Sequence, residues 1–278
     1  MIFVNGKEVS FTSFPDGTTS FRFDTGKATT YDIKWLYDGD HECILVWHLA
    51  NHIRSNRDRS VEINLIMPYI PNARMDRVKS GDEVFTLKWF ADFINALGFD
   101  SVTANDPHSS VSEALIDRFQ AIGVTRCVEE FVMKNIRETF GKQDILLCYP
   151  DEGASKRYSS QIQGDYVFGI KRRDWRTGKI QKLELVGADK VKDRTVLIVD
   201  DICSRGGTFY HSAKALKAAG AKSVSLYITH CEKTIILGEM ASTDGLVDHV
   251  YTTKSIFPEE LFNEGYDPYW KEWITVYH

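Results

Sequence analysis

The chain has 278 residues, which is enough for two domains of roughly 150 residues each or for one large domain. Its 43% hydrophobic and 26% charged residues are typical of a globular protein and exclude a collagen-like, coiled-coil or disordered chain. With 34 basic and 39 acidic residues the formal net charge is −5, which argues against a partner nucleic acid bound through its phosphates, because such binding requires a basic surface.

The cysteines and the first residues favour a cytoplasmic protein with no membrane partner. The 5 cysteines are scattered and form no Cys-x-x-Cys pair, so they indicate neither a disulfide framework nor a structural zinc site. This pattern fits a reducing compartment. The opening residues, MIFVNGKEVS, lack the basic and apolar regions of a signal peptide. No apolar run approaches the roughly 18 residues that a membrane span needs.

An Asn5-Gly6 turn predicts a β-hairpin at the start of the chain, between residues 1–4 and 8–12. From residue 62 onward, short apolar segments alternate with amphipathic segments of helical length, which is typical of βαβ units and a parallel sheet. Strands are expected at residues 20–23, 30–37, 62–67, 101–104, 145–148, 166–170, 195–199 and 223–229, and helices after Asp38-Gly39-Asp40 and at residues 82–97, 112–119, 129–140, 152–161 and 207–219.

Two further predictions concern the burial of one residue and the exposure of one segment. Val84 is expected on the buried face of the helix at residues 82–97, together with Leu87 and Phe90. The polar stretch at residues 172–182, RRDWRTGKIQK, is expected to be an exposed and mobile excursion from the fold.

The most informative segment is VLIVDDICSRGGTFYHSAKALKAAG, at residues 196–220. An apolar strand ends in Asp200 and Asp201, and a turn with Gly206, Gly207 and Thr208 then opens a helix. Backbone N–H groups at such a helix start attract phosphate, while carboxylates suit sugar hydroxyls or a metal ion. The segment therefore predicts a site for a phosphorylated pentose beyond the carboxyl end of a parallel strand. The alternative interpretation is an ordinary strand–turn–helix in which Asp200 and Asp201 are merely solvated.

The VDDICSRGGT run within this segment resembles the phosphoribosyl pyrophosphate-binding motif shared by type I phosphoribosyltransferases and ribose-phosphate pyrophosphokinases. Five other segments resemble the pyrophosphokinases and follow their order along the chain. The phosphoribosyltransferases lack most of them. These segments are FPDG (14–17), PYIPNARMDRV (68–78), NDPHSS (105–110), PDEGASKR (150–157) and IKRRD (170–174).

The resemblance implies an α/β fold of two phosphoribosyltransferase-like lobes, with mainly parallel sheets flanked by helices. We expect an N-terminal lobe at residues 1–135 that carries the ATP-side motifs, and a C-terminal lobe at residues 136–278 with the sugar-phosphate motif and the catalytic loop. The implied reaction is Mg²⁺-dependent transfer of the diphosphoryl group of ATP to the anomeric hydroxyl of a 5-phosphorylated ribose, with release of AMP. A homo-oligomer, dimer or hexamer, is also implied.

Carried over position by position, the resemblance also implies roles for individual residues. Lys171 and Arg173 correspond to the catalytic loop, where cations meet the charge on the transferring group, and Arg172 lies between them. Asp151 and His108 correspond to positions linked to Mg²⁺–ATP; because Mg²⁺ prefers oxygen ligands, His108 could instead act by hydrogen bonding. The sugar phosphate would bind Asp200, Asp201, Ser204, Arg205, Gly206, Gly207 and Thr208, and ATP would bind Phe14, Asp16, Arg74, Asp76 and His108.

The sequence departs from the family pattern at the nucleotide and phosphate segments. Met75 stands where the family has Gln, and Thr18 where it has Glu. Ser204-Arg205 replaces Asp-Thr in the phosphate loop, so an acid is lost and a cation is gained. Such a loop favours more negative charge than one phosphate monoester carries. ADP-ribose, a ribose with a diphosphate on its 5-carbon, is therefore the alternative acceptor to ribose 5-phosphate.

Two other functional classes are compatible with parts of the sequence. A phosphoribosyltransferase would share Asp200, Asp201 and the glycine turn but would not need Arg74 or Lys171. A non-catalytic regulatory homologue is opposed by the presence of Lys171 and Arg173, and is mildly favoured by Met75 and Thr18.

Overall fold

The computed structural model describes residues 1–57, 60–141, 144–173, 180–242, 245–258 and 272–277; within these, only the backbone is described at residues 171–173, 180–182 and 241–242. The chain forms two compact units, Met1–Ile122 and Gly123–His278. A boundary after residue 135 would cut through a continuous helix, because the π-helical segment Cys127–Val132 runs directly into Met133–Phe140. The division before Gly123 leaves that helix intact.

The first unit is a six-stranded sheet with helices and one separate hairpin. The sheet order is β2-β1-β5-β6-β7-β8; β5 to β8 run parallel, and β1 pairs antiparallel with both of its neighbours. Within the described residues the strands are β1 (Ile2–Val4), β2 (Lys7–Glu8), β3 (Thr12–Ser13), β4 (Thr19–Ser20), β5 (Thr30–Trp35), β6 (Glu62–Ile66), β7 (Ser101–Asn105) and β8 (Phe119–Ile122), and the helices are α1 (Glu42–Asn56), α2 (Thr86–Ala96) and α3 (Ser110–Leu115).

The opening hairpin is confirmed. Asn5 and Gly6 both have positive φ, +48° and +79°, as the tight turns that join antiparallel strands require. Strand β5 alternates strictly, with Tyr31, Ile33 and Trp35 buried and the residues between them exposed. This alternation places one face of the strand in the core of the unit.

Two predictions about helices in the first unit are wrong. Helix α2 begins at Thr86, so Val84 lies in the preceding turn and is 57% exposed instead of buried. Helix α3 ends at Leu115, and Phe119 belongs to strand β8, which pairs with β7. The cause is tertiary: pairing along the open edge of β7 satisfies the backbone of residues 119–122 better than a further helical turn would.

The second unit is a seven-stranded sheet in the order β11-β10-β9-β12-β13-β14-β15. All neighbours run parallel except β10 and β11, which form an antiparallel pair. In the part of the chain that the structure describes, the strands are β9 (Ile145–Tyr149), β10 (Tyr166–Arg173), β11 (Ile180–Val186), β12 (Thr195–Cys203), β13 (Ser223–Cys231), β14 (His249–Thr253) and β15 (Ile274–Tyr277), and the helices are α4 (Met133–Phe140), α5 (Glu152–Tyr158) and α6 (Gly207–Ala218).

Both faces of this second sheet are covered. Val196 and Ile198 of β12 lie in one hydrophobic cluster with Phe209 and Leu216 of α6. Leu197 and Val199 face the other way and lie in a cluster with helical residues that include Tyr158. A buried parallel sheet of this kind requires continuous apolar strands, which is why β12 reads TVLIV before its acids. The expected class, mainly parallel α/β sheets flanked by helices, is confirmed.

At both ends of the expected excursion, residues 172–182, the structure shows strands. Strand β10 continues to Arg173 and pairs with β11 at the edge of the sheet, with Lys171 opposite Leu183 and Arg173 opposite Ile180. Polar residues suit such an edge strand because they discourage pairing with other chains. Residues 174–179 lie outside the described residues. Across the described ranges, no helix is both long and apolar enough to cross a bilayer.

Gly169 permits β10 to pass very close to the end of β9. A Cβ at this position would lie 2.7 Å from the Pro150 carbonyl oxygen and 3.2 Å from Leu183 Cδ1. We expect Gly169→Ala to lower the free energy of unfolding by about 1–3 kcal/mol, because the backbone carbonyl cannot move aside without shifting the strand end. Chemical denaturation measures the change.

The matched control is Gly81→Ala. A Cβ at Gly81 meets nothing within 4 Å, so this substitution should leave the unfolding free energy nearly unchanged. Equal stability of the two variants would show that the contact between Gly169 and Pro150 imposes no constraint.

Candidate active site

The two acids at the end of β12 are held by neighbouring groups. Asp201 is only 5% exposed; its Oδ1 accepts the Ile202 N–H at 2.7 Å and its Oδ2 accepts Arg157 Nη1 at 3.0 Å. Asp200 is half-buried, and its Oδ1 accepts the Asp201 N–H at 3.0 Å. These contacts fix both carboxylates at the edge of the sheet.

Arg157 joins the candidate site through the fold; its position in the PDEGASKR segment alone indicated no role. It projects from α5 toward the end of β12, and its side chain is 24% exposed. Its guanidinium carbon also lies 5.3 Å from the centroid of the Tyr158 ring. A carboxylate as buried as that of Asp201 is costly unless it is paired, and Arg157 supplies that pairing.

The loop that follows β12 has the form of an anion site. Gly206 has φ +74° and ψ +14°, a left-handed conformation that glycine adopts without strain, and it is the N-cap of α6. The first N–H groups of α6, at Gly207 and Thr208, have no acceptors inside the helix and carry the positive end of its dipole. Arg205 is exposed beside them. This arrangement is suited to phosphate.

Asp151 lies at the same edge of the sheet, directly after β9. Cys148 is in register with Ile198 of the neighbouring β12. Asp201 lies three residues further along β12, which continues to Cys203, and Asp151 lies three residues further along the chain, beyond the end of β9 at Tyr149. Asp151 is the N-cap of α5, and its Oδ1 accepts the Ala154 N–H at 3.0 Å.

This edge fits Mg²⁺ held mainly through substrate phosphates. No group of three or more His, Cys, Asp and Glu side chains that could hold a metal occurs in the described ranges. Mg²⁺ in phosphate-transfer sites keeps several waters and needs only one or two carboxylates besides the substrate. Asp151, with Asp200 and Asp201 on the next strand, offers carboxylate oxygen of the preferred kind.

In the first unit, Arg74, Asp76 and His108 line one cavity of about 210 Å³. Arg74 and His108 are exposed into it, and His108 follows the carboxyl end of β7. The structure therefore brings together three of the residues that the sequence assigned to ATP. The cavity is lined by Arg74, Met75, Asp76, Arg77, Lys79, Glu83 and His108.

Asp76 is buried and paired with its neighbour in sequence. Arg77 donates from Nε to Oδ1 at 2.8 Å and from Nη2 to Oδ2 at 3.0 Å. The hydrogen bonds from the Arg77 guanidinium lower the pKa of the Asp76 carboxyl, and Ser109 and the nearby His108 lower it further. Burial alone would raise this pKa. Asp76 and Arg77 thus line the cavity as a bidentate ion pair.

Phe14 and Asp16 lie in the separate β3–β4 hairpin and do not line the cavity of Arg74 and His108. The Phe14 side chain is 55% exposed. Asp16 Oδ1 accepts both the Thr18 hydroxyl at 2.7 Å and the Thr18 N–H at 2.9 Å. These bonds lower the pKa of Asp16 and close the hairpin turn, so Thr18 has a structural role in the loop.

Lys171 and Arg173 lie near the end of β10, which is parallel to β9 and adjacent to it. Their side chains are outside the described part of the structure. The backbone register with β11 shifts between Arg172 and Arg173, which marks an irregularity at this point of the ladder.

We expect Arg77→Met to lower stability slightly at neutral pH, because it removes the bidentate partner of the Asp76 carboxylate. The effect is small since Arg77 is 70% exposed and water screens the pair. The folded-state pKa of Asp76 is lowered, so the pair stabilises the fold above about pH 4 and loses this effect as the pH falls through the lowered pKa. Urea unfolding of both proteins across pH measures the difference.

The stability difference between Arg77→Met and the unmodified protein should therefore be constant near neutral pH and shrink in acid. Arg77→Lys, which keeps the charge and loses the planar fork, is the intermediate control. A difference that does not shrink as the pH falls through the lowered pKa of Asp76 would contradict the pairing, because a protonated carboxyl no longer carries the charge that Arg77 stabilises.

Comparison with known proteins supports the family that the motifs indicate. The model of the phosphoribosyl transferase domain matches residues 126–269, more than half of the chain. The ribose-phosphate pyrophosphokinase of Hyphomonas neptunium is 31% identical over 208 residues, 69% of this chain and 64% of that protein. That of Mycoplasma pneumoniae is 29% identical over 217 residues, 75% of this chain and 63% of that protein.

The fold has a counterpart among solved structures. The phosphoribosylpyrophosphate synthetase of Mycobacterium smegmatis superimposes with a TM-score of 0.71 at 20% identity, covering 97% of this chain and 85% of that one. The chain spans less than two thirds of the length of the curated relatives above. It belongs to the phosphoribosyl transferase domain family, and the resemblance of its motifs to those of the ribose-phosphate pyrophosphokinases is confirmed.

Proposed function

We propose that the protein transfers the diphosphoryl group of ATP to the 1-hydroxyl of ribose 5-phosphate, giving phosphoribosyl pyrophosphate and AMP. The hydroxyl oxygen bonds to the β-phosphorus, the bond from that phosphorus to the α,β-bridging oxygen breaks, AMP leaves with that oxygen, and the hydroxyl proton is released. The observation that carries the proposal is the pair of fixed acids at the end of β12, followed by the glycine turn that opens α6. The curated relatives reported above share the name of this activity.

The acceptor would bind at this edge in two parts. The N–H groups of Gly207 and Thr208 would hold the 5-phosphate, with Ser204, Arg205 and Gly206 completing the loop. Asp200 and Asp201 would accept hydrogen bonds from the ribose hydroxyls, which orients the 1-hydroxyl for attack. Mg²⁺ would neutralise phosphate charge, with Asp151 as the carboxylate at this edge. In the first unit, His108 would act on the nucleotide, as a ligand of its metal ion or as a hydrogen-bond donor.

ATP would bind through the residues that resemble the family's nucleotide segments. Arg74 suits two phosphate oxygens because a guanidinium donates in a planar fork. Asp76 would act indirectly, by holding the Arg77 side chain at the cavity. Phe14, exposed on its hairpin, would stack on adenine, and Asp16 would lie near the adenine amino group. Lys171 and Arg173 would stabilise the charge that develops on the moving diphosphoryl group and on AMP.

Ribose 5-phosphate is the acceptor that the comparisons favour. The relatives reported above are named ribose-phosphate pyrophosphokinase, and nothing in them supports ADP-ribose. We further propose that the protein works in the cytoplasm as a homo-oligomer. Its 5 cysteines are free thiols, as a reducing compartment maintains, and the homo-oligomer follows from the family resemblance.

The test is AMP release from Mg²⁺–ATP with ribose 5-phosphate, with ADP-ribose, or with no acceptor. AMP formed with ribose 5-phosphate at a rate at least about tenfold above that with ADP-ribose is the expected result. Faster reaction with ADP-ribose would overturn the choice of acceptor, and no AMP with either sugar would overturn the activity.

Lys171→Ala should lower kcat by about a hundredfold or more while leaving ATP affinity nearly unchanged, because the cation acts mainly in the transition state.

The Arg157–Asp201 pair gives a second expected outcome. Arg157→Met should raise KM for ribose 5-phosphate by about tenfold, because Asp201 then loses the partner that orients its carboxylate. KM for ATP should stay within about twofold, and Arg157→Lys should lie between the two proteins. Unchanged kinetics in Arg157→Met would remove this arginine from the acceptor site.

A further inference from the structure

The connection that leaves β13, residues 232–240, lies against the loop of residues 204–208 that follows β12. We call residues 232–240 the support segment and residues 204–208 the sugar-phosphate loop. The support segment consists of the extended residue Glu232, the 3-10 helix Lys233–Leu237, Gly238 and the start of a second 3-10 helix. It contacts the sugar-phosphate loop at three separate points.

The first contact fixes the side chain of Ser204. Glu232 Oε2 accepts the Ser204 hydroxyl at 2.7 Å and the Thr234 hydroxyl at 3.2 Å, and the two hydroxyl oxygens lie 3.1 Å apart. The backbone N–H of Glu232 also donates to the Cys203 carbonyl at 2.8 Å. Since an ionised carboxylate only accepts, Glu232 holds the Ser204 proton, and this hydroxyl is not available to donate to a phosphate.

The second contact is a close approach of two backbones. Gly238 is extended, with φ −92° and ψ +171°, so its conformation does not itself demand glycine. A Cβ at Gly238, however, would overlap the Arg205 carbonyl oxygen and would lie 2.7 Å from the Arg205 carbonyl carbon. Any other residue here would force the support segment and the backbone of the sugar-phosphate loop apart.

The third contact lies beneath the left-handed glycine of the loop. Met240 is 1% exposed, and a Cβ on Gly206 would overlap Met240 Cε. The thioether side chain therefore fills the space directly under Gly206, the residue that turns the chain into α6. Methionine suits this position because it adapts its shape to an irregular gap.

These contacts bear on binding because the sugar-phosphate loop has two adjacent glycines, Gly206 and Gly207, and glycine has the most backbone freedom to lose. Amide groups that recognise a phosphate must be aimed before the ligand arrives, or binding has to supply the ordering free energy. We propose that Glu232, Gly238 and Met240 are positioning residues that pre-organise the sugar-phosphate loop and thereby set the affinity for the acceptor's 5-phosphate. The identity of that acceptor rests on the proposed function.

The main test is Gly238→Ala in the full chain. We expect KM for ribose 5-phosphate to rise about tenfold or more and KM for ATP to stay within about twofold, because a displacement near 1 Å at a binding loop can cost up to a hundredfold. Gly81→Ala, whose Cβ would meet nothing within 4 Å, is the matched control and should leave both values unchanged. An unchanged acceptor KM in Gly238→Ala would overturn the proposal.

A second pair of variants keeps the test decisive if Gly238→Ala does not fold. Met240→Ala empties the space under Gly206 and should raise the acceptor KM several-fold, about threefold or more, again with ATP unaffected. Met240→Leu, similar in volume, should restore the acceptor KM to within about twofold of the unmodified protein. Equal acceptor KM in the Ala and Leu variants would overturn the role of Met240. A matching rise in the KM for ATP would also overturn it, because a general loss of structure affects both substrates.

A binding measurement separates this proposal from the proposed function. Calorimetric titration with inorganic phosphate reports on the sugar-phosphate loop without any reaction. If the unmodified protein releases no AMP but Gly238→Ala weakens phosphate binding about tenfold relative to Gly81→Ala, the proposed function fails and the positioning role stands. If AMP is released and phosphate binds both variants equally, the proposed function stands and the positioning role fails.

Discussion

The parallel register of β9, β12 and β13 is the constraint on which the candidate site depends. Parallel neighbours end at the same edge, so residues that are far apart in sequence meet there: Asp151 after β9, Asp200 and Asp201 at the end of β12, and Glu232 after β13. Each strand places its side chains at this edge because its apolar residues are buried on both faces of the sheet. That burial fixes the register of the strand against its neighbours. The hydrophobic packing of these strands thus determines which carboxylates meet at this edge of the sheet.

Three carboxylates, those of Asp151, Asp200 and Asp201, lie at this edge of the second sheet. Specific hydrogen-bond donors stabilise their negative charge. Asp201 takes a guanidinium from α5 and a backbone N–H from Ile202, while Asp151 caps α5, the helix that carries that guanidinium. One short helix therefore links two acids from adjacent strands. A site built in this way favours hydroxyl donors and metal-bound phosphates, whereas the start of α6 favours bare phosphate oxygens.

The parts of the fold that could be read from sequence are those determined by local pattern. The alternation of apolar strands and amphipathic helices, the Asn5-Gly6 turn and the glycine turn before α6 each follow from residues close in the chain. Val84, β8 and Arg157 could not be placed, because their environments depend on neighbours that only the folded sheet supplies. Gly238 gives no conformational signal either, since its φ is ordinary and its need for glycine comes from Arg205.

The same limit bears on the charge of the sugar-phosphate loop. Counted along the sequence, Ser204-Arg205 removes an acid and adds a cation, which favoured an acceptor with more negative charge than ribose 5-phosphate. In the fold, Glu232 restores a carboxylate 2.7 Å from Ser204 Oγ, and Arg205 is exposed. Water screens an exposed guanidinium more than it screens a half-buried carboxylate, so Glu232 offsets much of the cation's effect on a bound phosphate. The surroundings of the loop are therefore closer to those of a phosphate monoester site than the loop sequence alone indicates.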